Sequence, residues 1–188
     1  MFEAVSQWGE TLADASKELQ NDYAIVLAAV TQWSYALQHA SKELRGDRDI
    51  VLKAISQWGH LLKYASASLR NNKKVVLAAV KRDGSSIRYA SDELRNNHDI
   101  ILEAISQNAC NVDYVCPQLQ KNPEIILHTL NFCKNYIPYT IQHLVYKNPE
   151  YITAAIANIN ILDQKICKCR VLQKCVPPAV HATLFVLI

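Results

Sequence analysis

A chain of 188 residues with half of them hydrophobic has enough apolar material for a packed core and too much for a disordered chain. The formal net charge of +3 permits contact with nucleic acid or anionic lipid but argues for neither, because counterion-release binding needs clustered Lys and Arg. No signal-peptide pattern opens the sequence, and no apolar run reaches about 18 residues, so neither a cleaved leader nor a membrane-spanning helix is expected.

From Ala4 onward the chain repeats itself every 25 residues. Copies begin at Ala4, Ala29, Ala54, Ala79, Ala104 and Thr129, and a seventh starts one residue late at Ala155. A fixed period of this size marks units that cannot bury their own apolar faces and must lean on their neighbours. Met1 and Phe2 fall in the middle of a first helix whose opening turn is missing, which reads either as a natural start or as a cut through a longer chain.

Each copy opens with a helical pattern. Ile50, Val51, Ala54, Ile55 and Trp58 recur at i, i+1, i+4, i+5 and i+8, one face of a 3.6-residue period. Asp22, Asp47, Asn72, Asn97 and Asn122 stand where helix N-caps belong, sharpened to Asn122-Pro123-Glu124 and Asn148-Pro149-Glu150 in later copies. Gly9, Ser34, Gly59 and Gly84 mark the far ends of these helices. A second, shorter helix is predicted after each, with Leu62, Ala65 and Leu69 at i, i+3 and i+7. The fold class expected is all-α: an α-solenoid of helix-turn-helix units in a right-angled or antiparallel stack over residues 1–162. Residues 163–188 read as an atypical helical cap with a very apolar finish, Leu184 to Ile188.

The motif string A-V-x-Q-x-G-x-x-L-x-Y-A-S-x-x-L-R-N-D-x-x-I-V-L resembles an uncharacterised short helical repeat family, a domain of unknown function. That family recurs in amoeba-infecting intracellular bacteria and their secreted effectors, and in some protists and large viruses. The resemblance covers roughly residues 4 to 156 and is sharpest in the first four copies. In the fifth and sixth, Cys116 and Ile141 replace the Ser. It implies a helical repeat fold and host-directed interaction, and supplies no catalytic residues.

Several columns of the repeat bear on function. Asp14, His39, Tyr64, Tyr89, Tyr114 and Tyr139 share one position on the second helix. A row of half-exposed tyrosines suits partner recognition, but packing of each ring against a neighbouring unit is favoured two to one. Gln7, Gln32, Gln57 and Gln107, interrupted by Arg82, suit cross-linking of adjacent units better than reading a peptide backbone. Trp8, Trp33 and Trp58 extend the apolar helix face and are expected to pack in the core or between units. Arg45, Arg70 and Arg95 suit the negative end of the second helix, and an anion-binding stripe is the minority reading.

Six cysteines lie in the second half, and Cys167, Cys169, Cys175 and His181 are zinc-ligand types at a spacing that matches no common framework. Reduced thiols are expected, and no metal or cofactor. No G-x-S-x-G, phosphate loop or HExxH is present, so no enzyme is expected. The function expected is a non-enzymatic protein-interaction scaffold for a protein or peptide partner. By resemblance alone it is a host-directed bacterial effector or part of one, acting in the bacterial cytosol, or in the host cytosol if translocated. A nucleic-acid or anionic-ligand binder using Arg45, Arg70 and Arg95 ranks second, and a docking domain of a larger enzyme third.

Overall fold

A computed structural model of the chain describes residues 2–132, which contain helices and turns and no strand. The chain forms two compact units, Met1–Ala104 and Ile105–Ile188. The α-helices in order are α1 Phe2–Gln7, α2 Lys17–Gln20, α3 Tyr23–Gln32, α4 Arg48–Gln57, α5 Ala67–Arg70, α6 Lys73–Arg82, α7 Asp92–Arg95, α8 His98–Gln107, α9 Pro117–Gln120 and α10 Pro123–Phe132. Each of α1, α3, α4, α6 and α8 is followed by a six-residue 3-10 helix: Gly9–Asp14, Ser34–His39, Gly59–Tyr64, Gly84–Tyr89 and Ala109–Tyr114. One further 3-10 turn, Leu44–Gly46, stands where α2, α5, α7 and α9 stand in the other copies. The predicted second helix is thus two pieces, a 3-10 helix and a single α-turn. Ala65 N donates to Leu62 O at 3.1 Å, the i to i+3 bond that closes a 3-10 helix. Ala65 is then extended, at φ −66 and ψ 154, which ends the first piece.

The junctions are set by caps. Asp22, Asp47, Asn72 and Asn122 each accept a backbone N–H from the helix they precede, as in Ile50 N to Asp47 Oδ1 at 3.0 Å and Glu124 N to Asn122 Oδ1 at 2.9 Å. The Ser of the Tyr-Ala-Ser string is a cap as well: Ser16, Ser41, Ser66 and Ser91 accept from Leu19, Leu44, Leu69 and Leu94 N. Cys116 makes no such bond. The long helices end at Gln7, Gln32, Gln57 and Arg82, and Gly9, Gly59 and Gly84 begin the following 3-10 helix. Gly9 and Gly59 answer to close approach. A Cβ on Gly59 would lie 2.3 Å from Ala79 O, and one on Gly9 would lie 2.5 Å from Ala29 O.

In the first unit successive copies pack in chain order, α1 on α3, α3 on α4 and α4 on α6, with the 3-10 helices forming a second row. Ile50, Val51, Ala54, Ile55, Leu61 and Leu62 are buried, as are their counterparts in the neighbouring copies. A main-chain clasp recurs between copies: Ser41 N donates to Gln20 O at 2.8 Å, Ser66 N to Arg45 O at 2.9 Å, and Ser91 N to Arg70 O at 2.9 Å. In the second unit Ala109, Val112, Val115, Ile125 and Ile126 are buried, and the Thr129 hydroxyl donates to Ile125 O at 2.7 Å.

Candidate functional site

The tryptophans are the main departure from the sequence reading. Trp8 is 65% exposed and Trp58 53%, and Trp33 is half-buried. The expectation of core or inter-unit packing fails for Trp8 and Trp58 because the helix stops one residue before each ring. Trp58 sits at φ −138 and ψ 101, in extended backbone, so the helical wheel no longer governs its direction. Asp83 and Asn108 occupy the same column in the same conformation. There the side chain caps the following 3-10 helix: Asp83 Oδ1 accepts from Ser85 N at 3.0 Å, and Asn108 Oδ1 from Cys110 N at 2.9 Å. Trp8, Trp33 and Trp58 make no side-chain cap. Three copies therefore hold an indole, exposed at Trp8 and Trp58 and half-buried at Trp33, at a position whose local chemistry favours Asp or Asn.

A continuous run of rings joins Trp33 and Trp58. Trp33 stacks on Tyr35 with centroids 5.9 Å apart and on His39 at 6.3 Å. Tyr35 meets His60 of the next copy at 5.6 Å, and His60 meets Trp58 at 6.2 Å. The Tyr35 hydroxyl and His60 Nε2 are hydrogen-bonded at 2.7 Å, and His60 Nδ1 lies 3.9 Å from Asp83 Oδ2 in the copy after. The polar groups along the edge are also tied across copies. Gln57 Nε2 donates to Thr31 O at 3.4 Å and Arg82 Nε to Gln57 O at 3.0 Å, the cross-linking role expected of that column. Gln7 and Gln32 are exposed.

The tyrosine column is half-buried at Tyr64, Tyr89 and Tyr114. The Tyr64 hydroxyl donates to Gln38 Oε1 of the preceding copy at 2.8 Å, and Lys63 Nζ lies 4.7 Å from its ring centre. Arg88 covers Tyr89 at 4.7 Å. Tyr139 lies outside the described residues.

Arg45, Arg70 and Arg95 are half-buried, and the Nε of each is buried without a hydrogen-bond partner. The same column in the first and fifth copies is Gln. Gln20 Nε2 donates to Leu12 O at 3.2 Å, and Gln120 Nε2 to Val115 O at 2.8 Å, closing the open end of a 3-10 helix. Arg95 also pairs with Asp92 one turn back. The buried Nε atoms place these arginines in the packing of each copy, in the column where the glutamines close a helix end. Cys110 and Cys116 are free thiols, half-buried. Cys133, Cys167, Cys169, Cys175 and His181 lie outside the described residues, and among the described residues no group of His, Cys, Asp or Glu could hold a metal ion. No helix of the described residues is long and apolar enough to cross a membrane.

A family model described as Domain of unknown function (DUF4116) matches residues 1–45, 47–95 and 72–120, together more than half of the chain. The chain belongs to this family. Each DUF4116 match spans nearly two of the 25-residue copies, and in this chain it holds two of the helices α1, α3, α4, α6 and α8, each with the six-residue 3-10 helix that follows it. The Trp edge lies within the first two matched segments. No curated protein and no solved structure matches the chain.

Proposed function

We propose that the protein is a non-enzymatic protein-interaction scaffold, and that the edge formed by Trp8, Trp33 and Trp58 is where its partner docks. One observation carries the reading: three indoles occupy a junction where Asp83 and Asn108 show that a short polar side chain caps the next helix. Forgoing an N-cap costs about 0.5–2 kcal/mol, and an exposed Trp leaves a large apolar surface in water. Both costs are offset when a partner covers the rings, and Trp is among the residues that dominate binding hot spots. The tyrosine column, expected to serve either packing or recognition, fits packing better, because the Tyr64 hydroxyl is committed to Gln38. A host-directed effector role is the setting in which such a scaffold acts; it rests on the sequence resemblance.

The test is panning of a random dodecapeptide display library on the full chain and on the W8A/W33A/W58A variant. Wild-type chain is expected to enrich a family of peptides that the variant does not retain, with the same helical circular dichroism for both. Equal enrichment by both proteins would overturn the Trp edge as the docking site, and no enrichment by either would overturn the scaffold reading.

A further inference from the structure

Arg45 and Arg70 each hold a charge half out of water with no acceptor among the described residues. Both side chains are half-buried, and both Nε atoms are buried without a hydrogen-bond partner. The terminal nitrogens are unbonded too but are not among the buried atoms, so the open end of each fork reaches solvent. Gln20 and Gln120 fill the same column without charge and donate to the carbonyls of Leu12 and Val115. An unanswered guanidinium is therefore costly at a place where a bonded amide fits. The acids nearby are engaged elsewhere. Asp47 Oδ1 caps α4, Glu93 Oε2 accepts from Asn71 Nδ2 at 3.3 Å, and Asp92 pairs with Arg95. That pair marks the contrast: three residues back, Arg95 has Asp92, whereas Arg70 has Ala67 and Arg45 has Lys42. Glu43, two residues before Arg45, does not face it on a helical turn.

The two arginines share one seam. Ser66 N donates to Arg45 O at 2.9 Å, and Arg70 N donates to Ser66 O at 3.0 Å. Arg70 stands one helical turn, about 5.4 Å, along from Ser66, well inside the reach of two arginine side chains. The third copy, residues 54–78, carries Lys63, Arg70, Lys73 and Lys74 and no acidic residue, and Lys73 is answered by Asp99. We propose that the seam between the second and third copies binds a phosphate monoester group, held by the guanidinium heads of Arg45 and Arg70. An arginine fork donates two parallel N–H bonds to such a group. The group brings about two negative charges at neutral pH to two unanswered positive ones, where a carboxylate brings one. The site is compact. Onward along the column come Asp92 and Glu93, and backward comes Glu18, so an extended polyanion such as nucleic acid would meet carboxylates on both sides. The site does not depend on the Trp edge.

The test follows the Nε–H resonances of Arg45, Arg70 and Arg95 by NMR. The isotope-labelled full chain is titrated at constant ionic strength with capped phosphoserine. The comparison ligands are capped serine, acetate, glycerol phosphate, a phosphoserine peptide and a single-stranded DNA dodecamer. Capped phosphoserine is expected to shift Arg45 and Arg70 together and to saturate, while Arg95, paired with Asp92, stays in place. Acetate should bind at least tenfold more weakly, and capped serine should give no shift. In R45Q and R70Q variants, built on the precedent of Gln20 and Gln120, affinity should fall at least tenfold with wild-type melting; R70Q alone carries this arm if R45Q melts early. Glycerol phosphate binding as tightly as the phosphoserine peptide supports the site with a small molecule as its source. Tighter binding of the peptide supports it with a protein as its source. Shifts that never saturate, or acetate binding as tightly as the phosphate, mean an ionic atmosphere only and overturn the site. Equal movement of Arg95 overturns the role given to the two unanswered heads. DNA that saturates all three arginines below the concentrations the phosphate needs overturns the compact site in favour of a nucleic-acid face.

Discussion

Gly59 and Gly46 make opposite forecasts for the same substitution. A Cβ on Gly59 would lie 2.3 Å from Ala79 O, 2.9 Å from Ser86 Oγ and 3.0 Å from Asp83 Cβ. Ala79 O cannot swing aside, because it accepts the Asp83 N–H at 2.9 Å and lies in the last turn of α6. Relief therefore needs α6 to move away from the 3-10 helix at Gly59 by most of an ångström, which opens the core around Leu61, Leu62 and Val80. Overpacking of this kind costs about 1–3 kcal/mol. In a unit of this size that lowers the melting temperature by about 4–8 °C for each kcal/mol. Gly46 is different: its Cβ would meet Ser66 Oγ at 3.5 Å and Ser66 Cβ at 3.7 Å, ordinary contacts. Gly46→Ala should raise stability by about 0.4–1 kcal/mol through the unfolded chain. Thermal melts followed by far-ultraviolet circular dichroism compare the two. Gly59→Ala melting at or above the wild-type temperature would refute the account of why that position is glycine, and a large loss at Gly46→Ala would refute the contact reasoning itself.

Trp58→Asp restores the cap seen at Asp83 and should raise the melting temperature, by about 0.5–1 kcal/mol of stability, while removing peptide enrichment; a destabilised variant would place Trp58 in the packing after all. Tyr64→Phe keeps the ring and removes the bond to Gln38, so chemical denaturation should show a loss of about 1 kcal/mol, and wild-type stability would show that bond to be idle. Arg70→Gln should be tolerated, because Gln20 and Gln120 fill the same column, whereas Arg70→Ala should lower the melting temperature; equal melting of both variants would show that the half-buried Arg70 side chain adds nothing to the packing. The hydrogen bond from Lys73, and then its charge, hold the Asp99 carboxyl below its ordinary value. A lowered carboxylate pKa stabilises the fold above the unfolded value of about 3.9, and that contribution is lost as pH falls through the lower folded value. The melting difference between wild type and Lys73→Met should therefore be present at neutral pH and close below about pH 4; a gap that widens in acid would reverse the assignment.

The sequence carried the helical repeat and its caps because both are local. Asp47 and Asn72 announce a helix start, and Ile50, Val51, Ala54 and Ile55 mark its inward face without reference to anything distant. The Trp column was misread for a physical reason. Periodicity predicts direction only while the helix continues, and α4 ends at Gln57, one residue before Trp58. The corrective signal was in the same column: Asp83 and Asn108 are cap residues, and a column that accepts a cap is a junction. The split of the second helix was legible too, in the Ser of Tyr-Ala-Ser, another cap in the middle of the supposed helix. The ring run from Trp33 to Trp58 was not legible, since Tyr35 and His60 lie in different copies and are joined only by stacking of the copies.

The clasps from Ser41, Ser66 and Ser91 to the carbonyls of Gln20, Arg45 and Arg70 have a consequence for ancestry. They are main-chain bonds, so any residue except proline can donate them, and this part of the join between two copies does not depend on which side chains those copies carry. An in-frame duplication of one copy's coding length would add a unit that docks at once, and a loss would close the gap with the same join. Substitutions in the exposed column then accumulate without loosening the joint, so each copy can acquire its own surface, as the change from Trp58 to Asp83 between neighbouring copies already illustrates.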